Sequence, residues 1–304
     1  MNIEREHKNI FEDYEDFLKE FKRIVGKILH KHEIPIAFGI SGRLKTIDSI
    51  LEKISSERFI IKKSITELND LIGLRIVLIF PEYKNNVVDL LTSEFQLFND
   101  HNKSTQSPDK FGYSSIHLIL GIKNEWTKIP DWENHLDKKI EVQVRTLSEH
   151  IWAETSHTLF YKREENIPNI INRDLSKLSA LLEIVDDNLQ SIKHKVEKHF
   201  KYIANAPYDE ILNQDLNSET FRRIMHKNSN GIYNLNEYKN KTLSSSIEKD
   251  YNIINSNTLE SLIANKIDLT NIDTEKYIER VIEILKAEKL KFDEKQKKSE
   301  EQKQ

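Results

Sequence analysis

The segment Ile140-Glu141-Val142-Gln143-Val144-Arg145-Thr146 constrains the fold more than any other part of this chain. Ile140, Val142 and Val144 alternate with Glu141, Gln143 and Arg145. Side chains alternate across a strand, so the pattern predicts a strand with one apolar face and one face of charge and amide. Thr146 with Glu149 three residues on is a capping box, which predicts that a helix starts there. On that helix His150, Ala153, Glu154, His157 and Tyr161 share one stripe, and Ile151, Trp152, Thr155 and Leu159 a more apolar one. A half-exposed strand with solvated charges has the same pattern. The segment points to a site only in company with others.

Three upstream segments supply that company. In the first, Ile47, Ile50, Leu51 and Ile54 have helical spacing, which predicts an amphipathic helix entered through Gly42-Arg43-Leu44-Lys45. Arg43 and Lys45 then sit where a helix N-terminus already favours an anion. Ser49 and Lys53, four apart, share one polar side. In the second, Asp70-Leu71-Ile72-Gly73-Leu74-Arg75 runs into Ile76-Val77-Leu78-Ile79-Phe80, a branched apolar run that predicts a central strand. An arginine inside such a run is costly without a partner, so Arg75 pairs with a carboxylate or faces a cleft. Asp70 is a hard-oxygen donor of the kind Mg²⁺ takes together with substrate phosphates. In the third, a strand follows the turn at Phe111-Gly112-Tyr113-Ser114-Ser115, with Ile116, Leu118 and Leu120 alternating against Ser115, His117 and Ile119. Tyr113 at its mouth is a stacking platform for a base or an ordinary strand-end aromatic.

Taken together, Gly-Arg-x-Lys-x-x-x-Ser-Ile, Asp-Leu-x-Gly-x-Arg, Gly-Tyr-x-Ser-x-His and Glu-x-Gln-x-Arg-Thr, with Trp152-Ala153, His157 and Tyr161-Lys162 behind, resemble the nucleotide pyrophosphokinase domain of the RelA/SpoT family, in its short, synthetase-only form. The resemblance covers roughly residues 38–165. It implies transfer of the β,γ-pyrophosphate of ATP to the 3′-hydroxyl of GTP or GDP, giving guanosine alarmones. By the same resemblance Arg43 and Arg75 sandwich the adenine of ATP, and Lys45, Ser49 and Lys53 contact its phosphates. Asp70 and Glu141 hold Mg²⁺, and Glu141 orients or deprotonates the attacking hydroxyl. Tyr113 stacks on the acceptor base, while Gln143, His150 and His117 position the acceptor. The acceptor segment departs from the family pattern. Phe111 stands where an asparagine is expected, and between Phe98 and Phe111 only Lys103 and Lys110, besides His101, are basic. This leaves a second reading open, in which the acceptor is a tRNA 3′ end or an adenine nucleotide, as in toxic relatives acting in toxin–antitoxin pairs or phage defence. A non-catalytic nucleotide sensor is a third.

Composition bounds the rest. A chain of 304 residues accommodates one or two domains, and its net charge of −4 gives no global basic field for nucleic acid. With 32% charged residues and few Gly or Pro, a helix-rich chain is expected. The absence of cysteine excludes disulfides and thiolate metal sites. No apolar run approaches the ~20 residues that span a bilayer, and the N-terminus is no signal peptide, so a cytoplasmic protein is expected. His30 and His32 lack carboxylate company and read as a helix end. No His-Asp dipeptide of the kind the family's hydrolase domain needs occurs, so the chain is expected to synthesise and not degrade.

The expected architecture is α+β, a mixed sheet flanked by helices with a mainly helical C-terminal extension. Strands are expected near 72–80, 115–121 and 139–145, with Phe95–Phe98 a further candidate and Val87–Leu91 a helix. The first helix carries Phe11, Tyr14, Leu18, Phe21, Val25 and Ile28 as one stripe. After Pro168, Leu175, Leu178, Leu182, Val185, Leu189, Ile192, Val196 and Phe200 form another, which pairs with the first helix or makes a homo-oligomer interface. Asn205-Ala206-Pro207 is the expected boundary between residues 1–205 and a second region, 206–304. Short helices are expected there around Glu219–Met225 and Asn257–Ala264. A last helix runs from Thr274 to Leu290, and a frayed charged tail follows from about 291.

Overall fold

The computed structural model describes residues 3–102, 115–160 and 169–301. They fall into two units, divided between Lys193 and His194. The first unit is a five-stranded mixed sheet with helices, and the fold is α+β. The strands β1 (Ser41–Leu44), β2 (Ile72–Leu78), β3 (Gln96–Asn102), β4 (Ile116–Gly121) and β5 (Ile140–Thr146) lie in the order β1-β2-β5-β4-β3. Only β2 and β5 run parallel. The intervening chain supplies α3 (Tyr83–Glu94), β3 and β4 before β5 returns beside β2.

Period-two alternation explains the sheet's two faces. Ile140, Val142 and Val144 are fully buried on one face, with Ile72, Leu74, Ile76, Leu118 and Leu120 in the same core. Against it packs α1 (Ile3–Lys31), which buries Tyr14, Phe17, Leu18, Phe21, Val25 and Leu29. This stripe differs from the expected one: Phe11 is exposed, and Phe17 and Leu29 take part. The cause is non-local. Phe17 meets Trp132 edge-on, with centroids 5.9 Å apart, and Phe21 stacks on Phe95 at 4.2 Å. Each such buried side chain contributes about 1.5–3 kcal/mol. Close approach of α1 also explains Gly42, where a Cβ would stand 2.7 Å from Leu18 Cδ1.

A buried lysine ties the loop before β5 to α1. Lys138 Nζ lies 2.7 Å from His135 Nδ1, donates to the Asp13 carbonyl at 3.2 Å and sits 4.9 Å above the Tyr14 ring. Burial first, and Lys138 second, push His135 below the ordinary histidine range.

The sequence expectation for residues 41–46 needs correction. They do not form the start of a helix. Ser41–Leu44 is an edge strand antiparallel to β2, and α2 (Ile47–Ser55) begins only after Thr46, whose Oγ1 caps Ser49 N. The capping box after β5 is as expected: Thr146 N donates to Glu149 Oε2 at 2.7 Å and Glu149 N to Thr146 Oγ1 at 3.1 Å. It starts α4 (Leu147–Phe160). Next, α5 (Asn169–Asn205) carries the chain from the first unit into the second. Helix α1 packs on β1, β2, α2 and α3. In the first unit α5 makes polar contacts, among them Thr146 Oγ1 to Asp186 at 2.6 Å and Gln190 Nε2 to Glu82 at 2.6 Å. Val185 and Ile192 of its expected apolar stripe are exposed, as are Leu181 and Ile184 beside it.

The second unit is helical: α6 (Tyr208–Leu212), α7 (Ser218–Asn228), α8 (Glu237–Tyr251), α9 (Ser256–Ile263) and α10 (Thr274–Glu301). Its core gathers Phe221, Ile224, Met225, Tyr233, Leu259, Ile263, Tyr277, Val281 and Leu285. The Asn217–Thr220 capping box starts α7. Helix α8 has no counterpart in the sequence expectation, and α10 runs past Leu290 to Glu301. Among the described residues, no helix is long and apolar enough to cross a membrane.

Candidate active site

The sheet face away from α1 carries the polar residues. Register aligns Arg43, Gly73, Glu141 and Ile119 in one row, and Ser41, Arg75, Gln143 and His117 in the next. Paired residues project to the same face, so these side chains share one surface. Gly73, with no side chain, leaves open floor between Arg43 and Glu141. Arg43, Lys45, Asp70, Arg75, Glu141 and Gln143 line one groove there, joined by Glu154 from α4. An adjoining hollow adds Ser49 and Lys53 to Arg43, Lys45 and Asp70.

Asp70 organises the basic end. Its Oδ2 accepts from Lys45 Nζ at 2.7 Å and Lys53 Nζ at 2.8 Å. Burial works to raise the Asp70 carboxyl, but the hydrogen bonds from both lysines hold it below the ordinary range. Its Oδ1 is buried without a partner. Lys45 and Arg43 reach this end from the β1 strand and the turn after it, not from a helix terminus. The Ser49 hydroxyl is bonded to Thr46 Oγ1 at 2.9 Å.

Glu141 organises the other end. Its Oε1 accepts from His117 Nδ1 at 2.8 Å, and its Oε2 from Gln143 Nε2 at 2.9 Å. An ionised carboxylate only accepts, so His117 carries its proton on Nδ1. Its Nε2 meets Ser115 Oγ at 2.6 Å. Burial works to raise Glu141, and the bonds from His117 and Gln143 outweigh it, leaving the carboxyl below its ordinary range despite nearby Asp70. Arg75 both pairs with a carboxylate and faces the groove: its NH1 lies 2.8 Å from Glu154 Oε1. His150 stands beside this pair, 3.9 Å from Glu154, and outside the groove lining. Burial first, then Arg145 and Arg75, push His150 below the ordinary histidine range. Tyr113 and Phe111, with Tyr161 and Lys162, lie outside the described residues.

Two contacts were not drawn from the sequence. Glu154 as the partner of Arg75 had a signal, since it falls four residues after His150 on the polar stripe. Burial of Arg145, on the same face as Glu141 and Gln143, had none, because alternation alone places it on an open face. Among the described residues, no three His, Asp or Glu side chains gather into a metal site of their own. Asp70, with its orphaned buried oxygen, and Glu141 in the same groove fit instead a hard cation that shares substrate oxygens.

Residues 42–166 match the profile described as a region found in RelA/SpoT proteins. The chain is 29% identical over 166 residues to the GTP pyrophosphokinase YjbM of Bacillus subtilis, covering 54% of this chain and 75% of that one. It is 27% identical over 173 residues to GTP pyrophosphokinase YwaC of the same organism, covering 56% and 79%. The structure of small alarmone synthetase 1 from Bacillus subtilis bound to its product pppGpp superposes with a TM-score of 0.53 and 25% identity, covering 64% of this chain and 99% of that one. The region found in RelA/SpoT proteins is thus what residues 42–166 of this chain are similar to.

Proposed function

We propose that this protein is a GTP diphosphokinase, moving the β,γ-pyrophosphate of ATP to the ribose 3′-hydroxyl of GTP or GDP. The observation that carries the reading is a single groove holding Lys45, Asp70, Arg75 and Glu141 on an open sheet face, with Lys53 on the far side of Asp70. Its relatives are named GTP pyrophosphokinases, and one related synthetase is bound to pppGpp. Phosphoryl-type transfer asks a protein mainly for positioning and charge neutralisation, which is what this set of residues supplies.

Arg43 and Arg75 stand diagonally across β1 and β2 and clasp the adenine between planar guanidiniums. Lys45, Ser49 and Lys53 take the phosphates. Asp70 and Glu141 are the residues that hold Mg²⁺, which when bound neutralises charge on the phosphate oxygens. Glu141 orients or deprotonates the acceptor hydroxyl. The 3′ oxygen bonds to the β-phosphorus, the bond from that phosphorus to the α,β-bridging oxygen breaks, and AMP leaves with the electron pair. Tyr113 stacks on the acceptor base, and Gln143, His117 and His150 position the acceptor. One observation favours a second acceptor, a tRNA 3′ end or an adenine nucleotide: Phe111 and the scarcity of basic residues before it.

Glu141→Gln tests the assignment. AMP formation in the presence of GTP should fall by about 10²–10⁴-fold while ATP still binds in calorimetry. Full activity in that variant would sink the mechanism.

A further inference from the structure

Arg145 has no task in the chemistry so far. It is only 4% exposed, yet among the described residues no carboxylate lies within ion-pair distance of it. Its Nε has no hydrogen-bond partner. Burial, with Arg75 nearby, lowers it to about 10. Keeping a cation there is costly, so the position needs a reason.

The reason lies in the bond it makes. An Arg145 terminal nitrogen donates to Gln143 Oε1. An amide has one accepting end and one donating end, and a guanidinium only donates. The carbonyl of Gln143 is thereby fixed toward Arg145, and its NH₂ toward Glu141 Oε2 at 2.9 Å. A reversed amide would set NH₂ against guanidinium and carbonyl against carboxylate, two repulsions at once. On the other side His117 Nδ1 donates to Oε1 at 2.8 Å. Each Glu141 oxygen therefore accepts one N–H, and the plane of the carboxylate is set.

We propose that Arg145 is a positioning residue: it fixes the Gln143 amide so that an N–H, and not a carbonyl, holds Glu141. This rests on the pyrophosphate-transfer reading above, since it is Glu141's orientation toward the acceptor hydroxyl that Arg145 serves. Arg145 acts through Gln143 and touches no substrate. The cation stands two bonds removed from the carboxylate it organises, which explains why a buried guanidinium is retained without a carboxylate of its own.

A double-mutant cycle on the full chain tests this. Arg145→Leu should lower kcat by about 10- to 100-fold with KM for ATP unchanged, because misplacement and not lost binding is the defect. Gln143→Ala should show a loss of the same order, and the double variant should fall no more than about twofold below Gln143→Ala. Unchanged kcat in Arg145→Leu, or penalties that multiply in the double variant, would overturn the proposal. A second arm needs no activity. The side-chain amide resonance of Gln143, assigned by its loss in Gln143→Ala, should move toward the free-glutamine position in Arg145→Leu; an unmoved resonance overturns the proposal. Should Arg145→Leu fail to fold, Arg145→Met, which keeps the length of the side chain without a donor, takes its place in both arms with the same outcomes. If the unmodified protein transfers pyrophosphate to no acceptor, the functional reading fails, and the amide resonance still decides the role of Arg145.

Discussion

Asp70→Asn separates two tasks carried by one carboxylate. The side chains of Lys45 and Lys53 are 21% and 27% exposed where they meet Asp70, which is 23% exposed. The pairs thus lie between solvent-exposed ones, worth about 0–1 kcal/mol, and buried ones, whose rupture costs about 3–5 kcal/mol. Removing the charge should cost about 1–3 kcal/mol, or about 2–12 °C in Tm for a unit of this size. Asp70 is held below the ordinary carboxylate range, against burial, by its bonds to the lysines. A depressed acid contributes stability above its unfolded pKa and loses it as pH falls through the folded one. The gap between native protein and variant should therefore be constant from neutral pH down to about 5, and close only below about 4. The effect on ligand runs the other way. Without the carboxylate both ammonium groups turn wholly to phosphate, so ATP free of metal should bind about fivefold tighter, from roughly 1 kcal/mol of relieved repulsion. Transfer with Mg²⁺ should be lost. Scanning calorimetry across pH and titration of ATP in chelator read both effects. A loss of metal-free ATP affinity would refute the assignment of Lys45 and Lys53 to the phosphates.

Gly121→Ala should destabilise the first unit by about 1–3 kcal/mol, because a Cβ there would stand 2.9 Å from the Lys138 carbonyl and 2.6 Å from Phe98 Cε2; an unchanged urea midpoint would contradict that close approach. His135, lowered by burial and then by Lys138, contributes stability above the ordinary histidine pKa that is lost as pH falls through its depressed value. His135→Asn should therefore flatten the stability–pH curve below about pH 6.5 relative to the native chain, and parallel curves would refute the assignment. Tyr113→Ala should raise KM for the acceptor while leaving ATP binding intact, as steady-state kinetics would show; equal loss of both would argue against stacking.

What the sequence disclosed was what local pattern determines. The apolar run at 72–78, the alternation at 116–121 and 140–144, and the reciprocal Thr146–Glu149 bonds depend on neighbours a few residues away, and they appear in the structure as expected. Asp70, Arg75, Glu141 and Gln143 were legible as a group because pairing of β2 with β5 brings their two motifs to one face. Strand β1 was not legible. Four residues carrying a glycine have no alternation to read, and only pairing with β2 makes them a strand. Phe17 escaped the stripe of the first helix because its partners Trp132 and His135 lie more than a hundred residues away. The burial of Arg145 was not legible, because alternation places a side chain on a face without telling what covers it. Helix α8 was hidden by its composition, with polar Asn240 and Ser244 buried in place of apolar residues at helical spacing.

Everything proposed for this groove depends on its moving pyrophosphate from ATP to a ribose hydroxyl. That transfer is tested most directly by incubating the protein with Mg²⁺ and γ-labelled ATP, offering GTP, GDP, ATP alone and deacylated tRNA in parallel, and separating the products. Label is expected on the guanine nucleotides, with AMP formed in equal amount. Label on tRNA with guanine nucleotides untouched would keep the donor half of the site and replace the acceptor. Label that never leaves ATP, or leaves only as inorganic phosphate, would rule out pyrophosphate transfer by this groove.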